Sequence, residues 1–141
     1  MLFYPPAFLT IKFDPGILAS DVIILGVKPG VVPFVAKELH NKGKGQLLIS
    51  VAAGLDTRRL QSMFGAEWRV VRAMPNTAVT VGEGATVFCL GAGAEHSDSL
   101  LVQQLFSSVG YCARVMEAQI GELAQWRVRG GLFSEKYFLQ Q

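Results

Sequence analysis

The sequence predicts an α/β fold with a doubly wound parallel sheet, and three observations predict it. The run Val22-Ile23-Ile24-Leu25-Gly26-Val27 is apolar without polar alternation and rich in β-branched residues, as suits a strand covered on both faces. Runs of that kind alternate with segments whose apolar residues recur at helical spacing. Three strand ends also carry small or polar tips: Lys28-Pro29-Gly30, Ala52-Ala53-Gly54 and Met74-Pro75-Asn76-Thr77. Ligands of open α/β sheets sit outside the carboxyl ends of the strands, where loops diverge and helix N-termini present free N–H groups. Small residues there let backbone approach a flat ring or a ribose that a large side chain would block.

Taken in order, the first strand is Val22 to Val27, and a helix follows over Val31 to His40. Pro33 is acceptable in a first turn, Phe34, Val35 and Leu39 fall at helical spacing, and Asn41 to Gly45 supplies turn residues. Gln46 to Val51 is a second buried-type strand. Asp56 or Thr57 can cap a helix carrying Leu60, Met63 and Phe64, Gly65 stops it, and Trp68 to Ala73 is the third strand. This β-α-β-α-β series implies right-handed crossovers. Ala85 to Leu90 forms a further strand, Ser97 to Ser108 a helix with an apolar stripe of Leu100, Leu101, Leu105 and Phe106, and Tyr111 to Val115 a short last strand.

Composition narrows the function classes. A chain of 141 residues with 50% hydrophobic content is one domain's worth and can bury a core. The net charge is +2 and the 13 Lys and Arg are scattered, so nucleic acid is not expected as a partner. Cys89 and Cys112, without a CxxC or a nearby His pair, predict no metal site and no disulfide framework, and fit a reducing compartment, cytosolic or mitochondrial. The apolar start lacks a basic leader and is broken by Pro5 and Pro6, which argues against a secretory signal, and Asp21 and Lys28 interrupt the longest apolar run, so no membrane association is expected. Gly91-Ala-Gly-Ala-Glu-His96 imitates a phosphate loop, but His96 stands where the third glycine belongs, and a plain loop is expected. His40 reads as a helix-end residue facing carbonyls, and Arg72, inside a strand, as the partner of a carboxylate.

Five pieces in register then carry a resemblance: Ala19-Ser-Asp-Val-Ile-Ile-Leu-Gly-Val-Lys-Pro29, Ser50-Val-Ala-Ala-Gly54, Val71-Arg-Ala-Met-Pro-Asn-Thr77, Glu83-Gly-Ala-Thr86 and Leu105-Phe-Ser-Ser-Val-Gly110. From Ala19 to Glu117 the sequence resembles pyrroline-5-carboxylate reductase. The resemblance implies a Rossmann-like domain, NADP or NAD as cofactor, and reduction of the small-molecule substrate 1-pyrroline-5-carboxylate to L-proline. It implies cofactor contacts at Gly26, Val27, Lys28 and Pro29, at Val51, Ala52 and Ala53 beside the nicotinamide half, and at Asn76 at the pocket mouth. Lys28 also reads as a solvated surface charge, Ala52 to Gly54 as a tight turn, and Asn76 as an Asx turn. No residue is assigned a catalytic role, and Glu117, aligned with an acidic position near the family's substrate, reads equally as structural.

Two departures accompany the resemblance. No GxGxxG turn occurs in the 141 residues, so the backbone cradle for a pyrophosphate is not in them. The reading is therefore of an incomplete sheet without its first βαβ unit or the family's C-terminal helical domain: a divergent segment over 1–18, a partial domain over 19–117, and a divergent tail over 118–141. Impaired catalysis is expected, with association with intact reductase subunits as the alternative role.

Overall fold

The structure, a computed structural model, describes residues 15–76 and 84–126. After a 3-10 turn at Pro15–Ala19, strand β1 (Val22–Leu25) leads through a second such turn, Pro29–Val31, into helix α1 (Val32–Leu39). Then come β2 (Leu47–Ser50), α2 (Thr57–Phe64), β3 (Arg69–Pro75), β4 (Gly84–Leu90), α3 (His96–Ser107), β5 (Gly110–Arg114) and α4 (Glu117–Trp126). Asp56 caps α2 by accepting the Arg59 N–H at 2.7 Å, and Gly65 ends it at φ 101°, a left-handed geometry that glycine adopts without strain.

The five strands lie side by side in sequence order. β1, β2 and β3 are parallel, as are β4 and β5, but β3 and β4 are antiparallel. The all-parallel expectation is corrected at that junction. Only eight residues separate Pro75 from Gly84, fewer than the dozen or so that a parallel crossover needs, whereas the longer link from β4 to β5 holds α3.

Each helix is placed by the strand alternation. Leu25, Leu48 and Val70 point to one face, under Val35 and Leu39 of α1, Leu60 and Phe64 of α2, and Trp68. Leu47, Ile49, Val71, Ala73 and Phe88 point to the other, under Val102 of α3. Val87 and Cys89 are covered by Ile120 of α4. β2 is buried at all four positions, as a doubly covered strand should be. β1 is not: Ile24 is 54% exposed, which corrects the reading of that strand as covered on both faces.

The tail predicted as divergent opens as helix α4, an element the sequence reading did not foresee. Residues 1–14 and 127–141, and Thr77 and Glu83 among the residues quoted above, lie outside the described residues.

Candidate functional site

Because β1, β2 and β3 are parallel, their carboxyl ends share one edge. Leu25 pairs with Ser50 and Ser50 with Arg72, so β1 and β2 end level with each other and their loops emerge together. The Val51 N–H donates to the Leu25 carbonyl at 3.1 Å and the Ala52 N–H to Ser50 Oγ at 3.3 Å, fixing the start of the second loop against the first. Gly26, Val27, Lys28 and Pro29 therefore stand beside Val51, Ala52 and Ala53. Ala52 is buried, Val27 and Val51 are half-buried, and Gly26, Lys28, Pro29 and Ala53 are exposed. A Cβ on Gly26 would meet nothing within 4 Å, so the absence of a side chain there is not dictated by the chain's own packing.

Asn76 stands apart from that pair of loops. β3 continues through Ala73, Met74 and Pro75, which carries Asn76 four residues, about 13 Å at strand rise, beyond the level of Ser50. Its N–H donates to the Ala85 carbonyl at 3.0 Å and its Oδ1 accepts the Ala85 N–H at 3.1 Å. The carboxamide oxygen thus extends the β3–β4 ladder.

Directly behind the two loops lies a polar cluster in which four elements converge. Arg72 Nη1 donates to Glu117 Oε1 at 2.5 Å, while Glu117 Oε2 accepts the Thr57 N–H at 3.1 Å and the Cys89 thiol at 3.1 Å. Burial by itself raises the Glu117 carboxyl, but the hydrogen bonds from Thr57, Arg72 and Cys89 prevail and hold it below its ordinary value. The Cys89 thiol is pushed up to about 12, first by burial and then by the neighbouring carboxylate, and burial lifts Cys112 to about 11. Both cysteines are free thiols, not nucleophiles at neutral pH. Arg72 meets the expectation of a carboxylate partner. The convergence on Glu117 was not read from sequence; the signal available was an acidic residue able to open a helix.

Other features lie away from this edge. Because β4 runs antiparallel, the loop Gly91 to Glu95 leaves at the opposite margin, where the Gly91 N–H donates to the Val70 carbonyl at 2.8 Å. His40 Nδ1 lies 2.7 Å from the Met63 carbonyl, and His96 is exposed at the start of α3. Among the described residues no group of three His, Cys, Asp or Glu could hold a metal, and no helix is long and apolar enough to cross a membrane.

Residues 14–54 match the family model described as NADP oxidoreductase, coenzyme F420-dependent. Pyrroline-5-carboxylate reductase of Arabidopsis thaliana is 47% identical over 92 residues, covering 64% of this chain and 33% of that protein. Human pyrroline-5-carboxylate reductase 2 is 39% identical over 102 residues, 70% of this chain and 32% of that protein. Among solved structures, a pyrroline-5-carboxylate reductase from Coxiella burnetii superposes with a TM-score of 0.74 at 34% identity, covering 82% of this chain and 44% of that one. Plasmodium falciparum pyrroline carboxylate reductase, a structure with NADP bound, gives a TM-score of 0.66 at 28% identity over 74% of this chain and 45% of that one. The chain spans about a third of the length of the sequence relatives it matches.

Proposed function

We propose that this chain, which carries a partial region of the pyrroline-5-carboxylate reductases, presents the nicotinamide-facing part of an NADP or NAD site. The family reaction is reduction of 1-pyrroline-5-carboxylate to L-proline in proline synthesis. The observation that carries the reading is the paired loop edge, Gly26 to Pro29 beside Val51 to Ala53, with open space above Gly26. Backbone and small side chains form a surface there on which a planar ring can lie close to the chain.

When bound, the reduced dinucleotide supplies a hydride to the imine carbon, whose nitrogen is protonated and whose C=N electron pair becomes the amine lone pair. The chain's contribution is position and exclusion. The buried Ala52 and the half-buried Val27 and Val51 keep water from one side of the ring, and Lys28, exposed next to them, offers a cation to an anionic group of the ligand. The 141 residues contain no GxGxxG cradle, so the fit covers the nicotinamide half and not the pyrophosphate half. Weak dinucleotide binding and impaired turnover follow. Fluorescence titration with NADPH and an assay of imine-dependent NADPH oxidation test this reading. Micromolar binding with turnover like that of an intact reductase overturns the impairment, and no response to NADPH at millimolar concentration overturns the site.

A second reading, a non-catalytic module that associates with full-length reductase subunits, is favoured by one observation. β1 has no strand on its outer side among the described residues, and Ile24 on it is 54% exposed. Co-purification with a full-length reductase that Ile24→Lys abolishes is the outcome expected of such a module.

A further inference from the structure

The loop Val51–Asp56 is referenced at both ends to one ion pair. It starts from Ser50, whose strand partner is Arg72, and ends at Thr57, whose N–H is held by Glu117. Arg72 and Glu117 are bonded to each other, and Glu117 is the first residue of α4. One carboxylate therefore joins the exit of the loop, the central strand, β4 through Cys89, and the helix that opens the last part of the chain. Its three partners come from positions far apart in the sequence, and no backbone ladder duplicates the Thr57 link: Thr57 is at the first turn of α2, where an N–H has no partner within its helix.

We propose that Glu117 is a positioning residue for the loop Val51–Asp56, latching its exit to β3 so that the seat of α4 and the shape of the loop edge are set together. That this edge receives a dinucleotide rests on the proposed function; the latch stands on the hydrogen bonds alone. A glutamine at 117 keeps the size but cannot accept on both sides, because its amide nitrogen would face either Arg72 or the donors Thr57 N–H and Cys89. The pair of effects, at the loop and at α4, separates a latch from simple helix packing. The titratable groups facing Glu117 are Arg72 from β3 and Cys89 from β4; α2 offers the Thr57 N–H, with the Asp56 carboxylate one residue away engaged by the Arg59 N–H.

Amide hydrogen-exchange protection factors on the full chain test the proposal in wild type and E117Q. The expected result is a fall of about tenfold or more at both Thr57 and Ile120, with Leu39, Leu48 and Val70 unchanged. A uniform fall across all five, a fall confined to α4, or no change overturns it. If E117Q does not fold, lowering the pH on wild type is the second measurement, and protection must be lost at Thr57 and Ile120 together before it is lost at Leu48. NADPH titration then separates the two readings. Weaker binding in E117Q by several-fold extends the latch to the ligand edge, and unchanged binding despite lost protection overturns that link. Absence of binding already in wild type counts against the dinucleotide site and leaves the exchange result to decide the latch.

Discussion

β1, α1, β2 and α2 build an apolar seam with β3, whereas α3 and α4 add an ion pair each to their apolar contacts with the same strand. On the first side the contact is a seam of Leu25, Val35, Leu39, Leu48, Leu60, Phe64 and Val70 around Trp68, whose Nε1 donates to the Leu39 carbonyl at 3.3 Å. On the second, Arg69 Nη1 donates to Asp98 Oδ1 at 2.6 Å in the capping box of α3, and Arg72 meets Glu117 of α4. The difference teaches where each half is vulnerable. Apolar seams respond to lost volume and ignore pH, while desolvated ion pairs respond to the loss of one partner and to protonation of the carboxylate. β3 is the shared strand, and its two arginines make both ion pairs, Arg69 also donating through Nε to the Gly45 carbonyl at 2.8 Å.

The largest effect is expected on the apolar side. Trp68→Ala removes a fully buried indole and its hydrogen bond and should cost about 3–5 kcal/mol, a large part of a domain's typical 5–15, equally at pH 7 and pH 5 in urea titrations. A loss that depended on pH would break the comparison. Next comes Glu117→Ala, which strands a guanidinium with 10% exposure; because the carboxylate itself is 35% exposed, about 2 kcal/mol is expected rather than the larger values of fully buried pairs. Its sign with pH is fixed. The folded-state pKa of Glu117 is lowered from 4.5, so its stabilisation is whole above that value and is lost as the pH falls through the lowered one. Wild-type and variant melting curves should therefore converge on acidification, and a gap that stays constant to pH 3 would remove the carboxylate as its cause.

A smaller effect belongs to Asp98→Asn, which keeps a group able to cap α3 but discharges the pair with Arg69. About 1 kcal/mol is expected by thermal melt at low salt. The smallest on stability is Gly26→Ala, within about 0.5 kcal/mol of neutral, since the added methyl meets no neighbour. The same variant should weaken NADPH binding at least several-fold if the ring lies where proposed. Unchanged binding would move the ligand off this loop.

Much of the fold was legible along the chain because the relevant forces are local. The apolar run at Leu47 to Ser50, the Asp56 cap and the Gly65 stop each act within a few residues and gave β2, α2 and its end. The loop edge was legible for the same reason: parallel strands joined by short helices must send their carboxyl ends to one side. Less legible were contacts that need distant partners. Thr57 and Glu117 are 60 positions apart, and nothing around Thr57 announces that its N–H will find a carboxylate on another helix. Asn76 reads along the chain as a residue at a pocket mouth or as an Asx turn, and neither reading contains the bond its oxygen accepts from Ala85, because only the antiparallel return of β4 brings that N–H within reach. Ile24 looked buried because apolar runs do not reveal whether a second layer is present.

Sequence by itself determined the alternation of strands and helices, the apolar seam, and the small-residue tips at the ends of the first two strands, since periodicity, capping and backbone sterics are written in neighbouring residues. Only the tertiary structure decided the antiparallel return at β4, the engagement of Asn76, and the meeting of Arg72, Cys89, Thr57 and Glu117 behind the loop edge. These depend on which elements are packed side by side. Packing is also what brings the Thr57 N–H, the Arg72 guanidinium and the Cys89 thiol within reach of one glutamate, and these donors outweigh the cost of its burial.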